Sequence, residues 1–132
     1  MAGAAAARES VTIAGRPECV AVARAFAATV LGRRHPAVDT AVLLLSELVT
    51  NSVRHSGSGL PGQTVTVTVL REGEVVRVEV TDRSGATVPV LRPADSGAEG
   101  GRGLYLVDSL AARWGAQRDG DRTTTWFELR YR

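Results

Sequence analysis

The hydrophobic pattern of the first half of the chain predicts one strand followed by two helices. Residues 9–14 alternate weakly between apolar and polar positions, which predicts a short strand that ends at a Gly-Arg-Pro break. Pro17 suits the first position of a helix, because its φ angle is already helical and its missing N–H would have no partner there. We therefore predict one helix over residues 17–31 and a second over residues 36–55, closed by a Ser/Gly-rich stretch at residues 56–59.

The second half of the chain changes to a period of two. Valines alternate with threonines over residues 64–69 and with charged residues over residues 76–80, across a turn that contains glycine. Such alternation is typical of strands with one apolar and one wet face, so the two runs predict a hairpin. A third helix is expected after Gly103, followed by two strands over residues 114–117 and 123–131.

A long segment without a regular pattern separates the first hairpin from the third helix. The 18 residues that follow Asp82 show no period, and a loop of this length in a compact domain is often functional, for example as a lid over a ligand. Strands joined by tight turns favour antiparallel pairing, and three helices can cover one face of a sheet. The sequence therefore predicts an α/β two-layer sandwich, with a mixed, largely antiparallel sheet and three helices on one face.

Composition and charge narrow the class of protein. The 132 residues fit one domain, which we place at residues 9–132 behind a disordered tail at residues 1–8. Hydrophobic residues make up 44% of the chain, yet no apolar stretch approaches the roughly 20 residues that cross a bilayer, so no membrane association is expected. The single cysteine, Cys19, favours a reducing cytoplasm. Arginines scattered among acids form no basic stripe, so no direct contact with nucleic acid is expected.

The second helix carries the most informative pattern. At 100° per residue its apolar arc, which must face the core, consists of Val38, Ala41, Val42, Leu45, Leu48, Val49, Ser52 and Val53. Glu47 and Asn51 lie opposite this arc, one helical turn apart and therefore on one face, with Arg54 beside them. An acid, an amide and a cation on the polar side of a helix are most often a solvated face. Their meaning therefore depends on the elements around them.

Asp82 ends a strand whose valines point inward. Alternation therefore turns its carboxylate toward the face that the helices cover. A buried carboxylate needs hydrogen-bond donors, and the exocyclic amine of a purine is a suitable one. The alternative is an aspartate that caps the turn following the strand.

The start of the third helix is rich in glycine, in the sequence Gly100-Gly101-Arg102-Gly103. Glycines at a helix start let the backbone approach a ligand closely, and the free N–H groups with the positive end of the helix dipole favour a phosphate. The alternative is a flexible loop that merely ends at a helix.

The order and spacing of these three features resemble the GHKL (Bergerat-fold) ATPase superfamily. The segments LSELVTNSVRH at residues 45–55 and GRGLYLV at residues 101–107 are similar to those of the stand-alone anti-sigma-factor serine/threonine kinases of bacteria. The similarity extends over about residues 9–129. It implies an ATP-binding fold, Mg²⁺ as a cofactor and kinase activity of this type.

The resemblance also implies a role for each matching residue. Asn51 stands where the family has its Mg²⁺ ligand, and Glu47 where the family has the acid that activates the attacking hydroxyl or water. Asp82 stands where an aspartate binds the adenine amino group. The other expected nucleotide-binding positions are Arg54, His55, Gly85, Gly101, Arg102, Gly103, Leu104 and Thr124. Spacing to Trp126 favours Thr124, whereas alternation with Phe127 favours Thr125.

Two functions remain open from the sequence. The first is a kinase that uses ATP and Mg²⁺ to phosphorylate an anti-anti-sigma (STAS-type) protein and that sequesters a sigma factor. The second is a catalytically silent ATP-binding module that regulates a protein partner through its lid loop. It is suggested by Ser84 and Ala86, which stand where the family often has glycines, so that only Gly85 remains. A degenerate domain that binds no nucleotide is a third hypothesis. The resemblance to the family also implies a possible homodimer.

Overall fold

The computed structural model of the chain describes residues 6–55, 62–83 and 99–131. Its elements are, in order, β1 (Ala7–Ala14), α1 (Cys19–Leu31), α2 (Val38–His55), β2 (Thr64–Glu72), β3 (Val75–Asp82), α3 (Glu99–Leu110), β4 (Arg113–Asp119) and β5 (Arg122–Arg130). The Ser/Gly-rich stretch at residues 56–59, most of the predicted lid loop and Gly85 lie outside the described residues.

The five strands form one sheet in the order β1-β2-β3-β5-β4. All four pairings among the described strands are antiparallel. The two hairpin turns place Gly73 at φ 61° and Gly120 at φ 67°, a left-handed conformation that glycine adopts without steric cost. The predicted two-layer sandwich is confirmed, and its sheet is antiparallel at every described pairing.

Three element boundaries differ from the sequence prediction. β1 begins at Ala7, inside the predicted tail, because Ala7 pairs with Arg71 of β2. α1 begins two residues after Pro17, since the Arg16 and Pro17 carbonyls accept turn hydrogen bonds from the N–H groups of Cys19 and Val20, three residues further along the chain. α3 begins at Glu99, so its glycines lie within the first two turns of the helix instead of preceding it.

The core lies between the helices and one face of the sheet. Alternate residues of β2, β3 and β5 supply fully buried side chains, among them Val67, Val78 and Phe127. On α2, Leu44 is fully buried although it falls outside the predicted arc, whereas Val42 is only half-buried. The buried surface of α2 is wider than one arc because the helix packs against α1 and α3 as well as the sheet. None of the described helices has the length and hydropathy that crossing a bilayer requires.

The opposite face of the sheet is polar and held by a cluster around Glu128. Its carboxylate accepts hydrogen bonds from Arg77 of β3 at 2.9 Å and from Arg113 of β4 at 3.0 Å, so it links three adjacent strands. The hydrogen bond from Arg113, followed by that from Arg77, lowers the pKa of Glu128. The Arg77 guanidinium also lies 3.9 Å from the centre of the Trp126 ring. Trp126 in turn covers Gly115 on the neighbouring strand.

The start of α2 is held by His35. Its Nδ1 atom accepts the backbone N–H of Ala37 at 3.0 Å, and its ring meets the Tyr131 ring edge-on at 4.4 Å between centroids. The Tyr131 hydroxyl donates to the Gly73 carbonyl at 3.0 Å, which connects the start of the helix to the β2–β3 turn. Burial, with a smaller contribution from the positive charge of Arg71, lowers the pKa of His35.

We predict that acidification destabilises the fold through His35. Its pKa is lowered in the folded state, so the unfolded chain binds more protons, and the stabilisation is complete only above the unfolded value of about 6.5. The free energy of unfolding should therefore fall as the pH drops below about 6.5. Urea unfolding at pH 7.5, 6.5 and 5.5 measures this fall. The matched variant His35→Asn, whose amide oxygen can accept the same N–H without titrating, should show a shallower pH dependence. Equal slopes for both proteins would contradict the assignment.

We also predict that Gly115→Ala destabilises the sheet. A Cβ atom at this position would lie 2.9 Å from Cζ2 of Trp126, and the Arg77 guanidinium already lies 3.9 Å from the centre of the same ring, which limits how far the indole can shift. The loss should be about 1–3 kcal/mol in chemical denaturation, as for other overpacked sites. In a Trp126→Leu background the same substitution should cost much less. An unchanged cost in that background would show that the indole is not the cause.

Candidate functional site

A hydrogen bond between α2 and β3 lies at the centre of the candidate site. The Ser52 hydroxyl donates to Oδ2 of Asp82, and the two residues are only 7% and 8% exposed. Asp82 reaches this position because it continues the inward-facing series of Val76, Val78 and Val80 along β3. The sequence argument for an inward carboxylate is therefore confirmed by the burial of Asp82. A serine on the helix above it is one of its partners.

The polar flank of α2 lies next to this hydrogen bond. Asn51 directly precedes Ser52, so the Cα atoms of these two residues are roughly 3.8 Å apart. Because Ser52 contacts Asp82, the Asn51 amide and the Asp82 carboxylate both lie near the C-terminal end of α2. Glu47 lies one turn earlier on the same face as Asn51. Both side chains are half-buried, whereas Arg54 is exposed. Glu47 and Asn51 are therefore partly sheltered by neighbouring elements and are not a fully solvated face.

β5 contributes threonines beside Asp82. Thr123 pairs directly with Asp82 across the β3–β5 ladder and is 2% exposed, and Thr125 lies on the same face at 8% exposure. Thr124, the residue expected to line the nucleotide site, lies on the opposite face, where its hydroxyl is 2.8 Å from that of Thr81. Alternation along the strand separates Thr124 from Asp82. The alternation argument for Thr125 is thus the one that agrees with the strand register.

α3 forms the other wall beside α2. Leu104 and Val107 are buried at 5% and 0% exposure, and the helix packs against both α2 and β4. Near its end, Asp108 accepts a hydrogen bond from the Trp114 indole at 2.8 Å, which fixes the helix to β4. The backbone of the glycine-rich motif, Gly101, Arg102 and Gly103, forms part of the first two turns of this helix. His55, another predicted site residue, is the last residue of α2.

The structure therefore brings together part of the predicted site. Asp82 and Asn51 lie at one end of the α2–β3 pair, with Glu47 one turn away and Leu104 on the helix packed beside them. Thr124 is placed elsewhere, and Gly85 lies outside the described residues. Sequence reasoning missed two buried polar residues, Ser52 and Thr123. A signal for Ser52 was present, because a hydroxyl within an apolar helical arc requires a hydrogen-bond partner.

The donor set fits a purine nucleotide with a divalent cation. A buried carboxylate can accept hydrogen bonds from a base amine, since the serine hydroxyl uses only part of its acceptor capacity. An amide oxygen on the polar flank of α2 is a hard oxygen ligand of the kind that Mg²⁺ prefers. The first turn of α3 supplies backbone N–H groups, which suit an anion. These groups belong to three elements, of which α2 packs against both β3 and α3.

Helices pack on one face of an antiparallel sheet, with an amide and an inward aspartate at one end of the α2–β3 pair and an acid one turn away. A family model described as the histidine kinase-like ATPase domain matches residues 13–129. The chain belongs to this family. The resemblance to the GHKL ATPase superfamily is thereby confirmed.

The proteins similar to this chain include one from Streptomyces coelicolor and one from Mycobacterium tuberculosis. An uncharacterised protein of Streptomyces coelicolor is 45% identical over 80 residues, which cover 59% of this chain and 73% of that protein. A crystal structure of the RsbU and RsbW domains of Rv1364c from Mycobacterium tuberculosis superposes on 92% of this chain with a TM-score of 0.60 and 21% identity. The chain spans only 32% of that larger protein. The structural similarity therefore concerns the fold.

Proposed function

We propose that this protein binds ATP with Mg²⁺ and transfers the γ-phosphoryl group to a serine or threonine of a regulatory protein. The observation that supports this most directly is the buried carboxylate of Asp82, which accepts a hydrogen bond from Ser52. Ser52 directly follows Asn51 in α2, so this bond joins the aspartate to the residue next to the amide. In this proposal the base-binding acid and the phosphate-side amide lie on two elements that pack on each other, β3 and α2. The family membership supplies the nucleotide class.

In this proposal Asp82 recognises the adenine base. Its carboxylate accepts a hydrogen bond from the exocyclic amine, whereas guanine would present a carbonyl oxygen at the same position and leave two acceptors facing each other. Thr123 and Thr125 lie on the same face of β5 and provide hydroxyls beside the base. These two residues replace Thr124 in the proposed base site.

The phosphate side of the site is built by α2 and α3. Asn51 would hold Mg²⁺ through its amide oxygen, together with phosphate oxygens and water, as is usual for this ion. When bound, the ion supplies positive charge that offsets the charge on the phosphates. The free backbone N–H groups in the first turn of α3, up to that of Gly101, would contact the phosphates. The absence of side chains at Gly101 and Gly103 would allow close approach.

Glu47 is proposed as the general base. It accepts the proton of the partner's serine or threonine hydroxyl while that oxygen forms a bond to the γ-phosphorus. The bond between the γ-phosphorus and the bridging oxygen breaks, and ADP leaves with the electron pair. Glu47 is half-buried and therefore sheltered yet reachable from outside, as a residue acting on a protein substrate must be. Positioning and charge neutralisation provide the rest of the catalysis.

The proposed partners are an anti-anti-sigma (STAS-type) protein as phosphoryl acceptor and a sigma factor as the sequestered protein. The resemblance of residues 45–55 and 101–107 to anti-sigma-factor kinases supports this choice. The fold shared with a structure that contains an RsbW domain is consistent with it. We place the protein in the cytoplasm, where such partners act.

A catalytically silent ATP-binding module is the second candidate. It is favoured by Ser84 and Ala86, which replace the glycines that often follow the aspartate in this family. In that case the nucleotide would control docking of a partner without being consumed. ATP binding is common to both candidates, and only phosphoryl transfer separates them.

We predict that Asp82→Asn weakens ATP binding and lowers discrimination against GTP. Loss of a hydrogen bond to a charged acceptor should reduce ATP affinity by roughly tenfold to hundredfold in isothermal titration calorimetry. Asp39→Asn, which changes an exposed carboxylate in the first turn of the same helix as Asn51, is the matched control and should leave affinity unchanged. Equal ATP affinity in the wild type and Asp82→Asn would exclude the proposed base contact.

We predict that Glu47→Gln retains ATP binding and loses phosphoryl transfer. The rate of phosphoprotein formation should fall by roughly 100- to 10,000-fold, as for removal of a general base. The assay uses labelled ATP, Mg²⁺ and purified STAS-type proteins encoded in the same genome, with Glu72→Gln at the exposed end of β2 as control. Transfer that continues undiminished in Glu47→Gln would refute the role of Glu47. Binding of ATP by the wild type without transfer to any of these acceptors would favour the silent module.

A further inference from the structure

The two serines of α2 donate their hydroxyl hydrogen bonds to different kinds of acceptor. Ser46 donates to the Val42 carbonyl at 2.8 Å, one turn back in its own helix, which is the ordinary choice for a serine within a helix. Ser52 instead donates to Asp82 on another element. A hydroxyl carries only one proton, so this choice excludes the bond within the helix. The direction of the Ser52 hydroxyl is therefore set by the aspartate.

The surroundings of Ser52 make this hydrogen bond directional. Both partners are buried, and the adjacent positions Val49 and Val53 of the helical arc are apolar. In such surroundings a hydrogen bond to a carboxylate is strengthened by the low local dielectric. Ser52 thereby selects one orientation of the carboxylate, with Oδ2 turned toward α2. The cross-strand partner Thr123 flanks the same carboxylate on the sheet side.

We propose that Ser52 is a positioning residue that sets the base selectivity of this protein through Asp82. The inference rests on the proposed ATP binding and adds to it the residue that determines how strongly the 6-amino group is recognised. A carboxylate has about four acceptor positions, and the bond from Ser52 occupies one of them, so the amine of the base can be accepted at another. Fixing the carboxylate before the nucleotide arrives removes the entropic cost of orienting it during binding.

Base selectivity separates this role from a purely structural one. If Ser52 only stabilised the packing of α2 on β3, its removal would weaken the binding of all purine nucleotides to the same extent. If it orients Asp82, its removal weakens only ligands that carry the 6-amino group. The ratio of affinities for ATP and for purine riboside triphosphate, which lacks that group, therefore reports the proposed role directly.

The experiment measures both affinities by calorimetry for the wild type, Ser52→Ala, Ser52→Thr and Ser46→Ala. Ser52→Ala should lower ATP affinity by about tenfold, the loss of one good hydrogen bond, and change the affinity for the analogue by less than about twofold. Ser52→Thr keeps the hydroxyl and should restore the wild-type ratio. Ser46→Ala removes a hydroxyl outside the site and should preserve it. Ser52→Cys, which keeps the volume but is a weak donor, gives the same comparison if the alanine variant loses its cooperative thermal transition.

The outcomes distinguish this inference from the proposed function. A wild type that prefers ATP over the analogue, combined with a Ser52→Ala variant of unchanged ratio, would overturn the positioning role and leave ATP binding intact. Equal losses for ATP and the analogue in Ser52→Ala would also overturn it, because they indicate a structural role. A wild type that binds neither nucleotide would refute the proposed function itself. In the Asp82→Asn background, Ser52→Ala should have no further effect on the ratio, since the two residues act as one unit.

Discussion

The packing of α2 over β3 is the constraint on which the rest of this structure depends. The helix buries a wide apolar surface against the sheet, α1 and α3, and this burial fixes its rotation about its own axis. Once the rotation is fixed, Glu47 and Asn51 can only lie on its half-buried flank. The strand below has one inward position left at its end, which Asp82 occupies. A hydrophobic contact thus determines where three polar groups lie.

The strand register of the sheet determines which side chains face the candidate site. Asp82 lies opposite Thr123 only in the observed register, because a slip of one residue would turn the carboxylate to the other face. On that other face Glu128 links β3, β5 and β4 through its two arginine partners, and these bonds fit only this register. The Arg77 guanidinium adds a contact with the Trp126 ring. Polar contacts on one face thereby help to preserve the geometry of the site on the other.

The sequence predicted most of the fold and the position of several candidate-site residues but not the hydrogen-bond partners in the site, and the difference has a physical cause. Period-two and helical patterns report burial, so they located the elements, the inward direction of Asp82 and the shared face of Glu47 and Asn51. Patterns cannot report which partner a polar group selects. Ser52 was therefore assigned to the apolar arc, and Thr124 was preferred by spacing although the strand period favours Thr125. Leu44 was missed because a single arc describes one contact surface, whereas α2 has three.

The two ends of the site depend on the fold to different degrees. Asp82 and Ser52 are buried and hydrogen-bonded to each other, so a change in either one disturbs the packing of α2 on β3 as well as the proposed recognition of a base. Glu47 is half-buried on the flank of the helix, outside the apolar arc, and a substitution there removes no core contact. Under the proposed function, base recognition is consequently coupled to stability, whereas proton transfer by Glu47 is not. A domain of this design would be able to lose phosphoryl transfer and keep its nucleotide, so the proposed kinase and the silent regulatory module can share one framework.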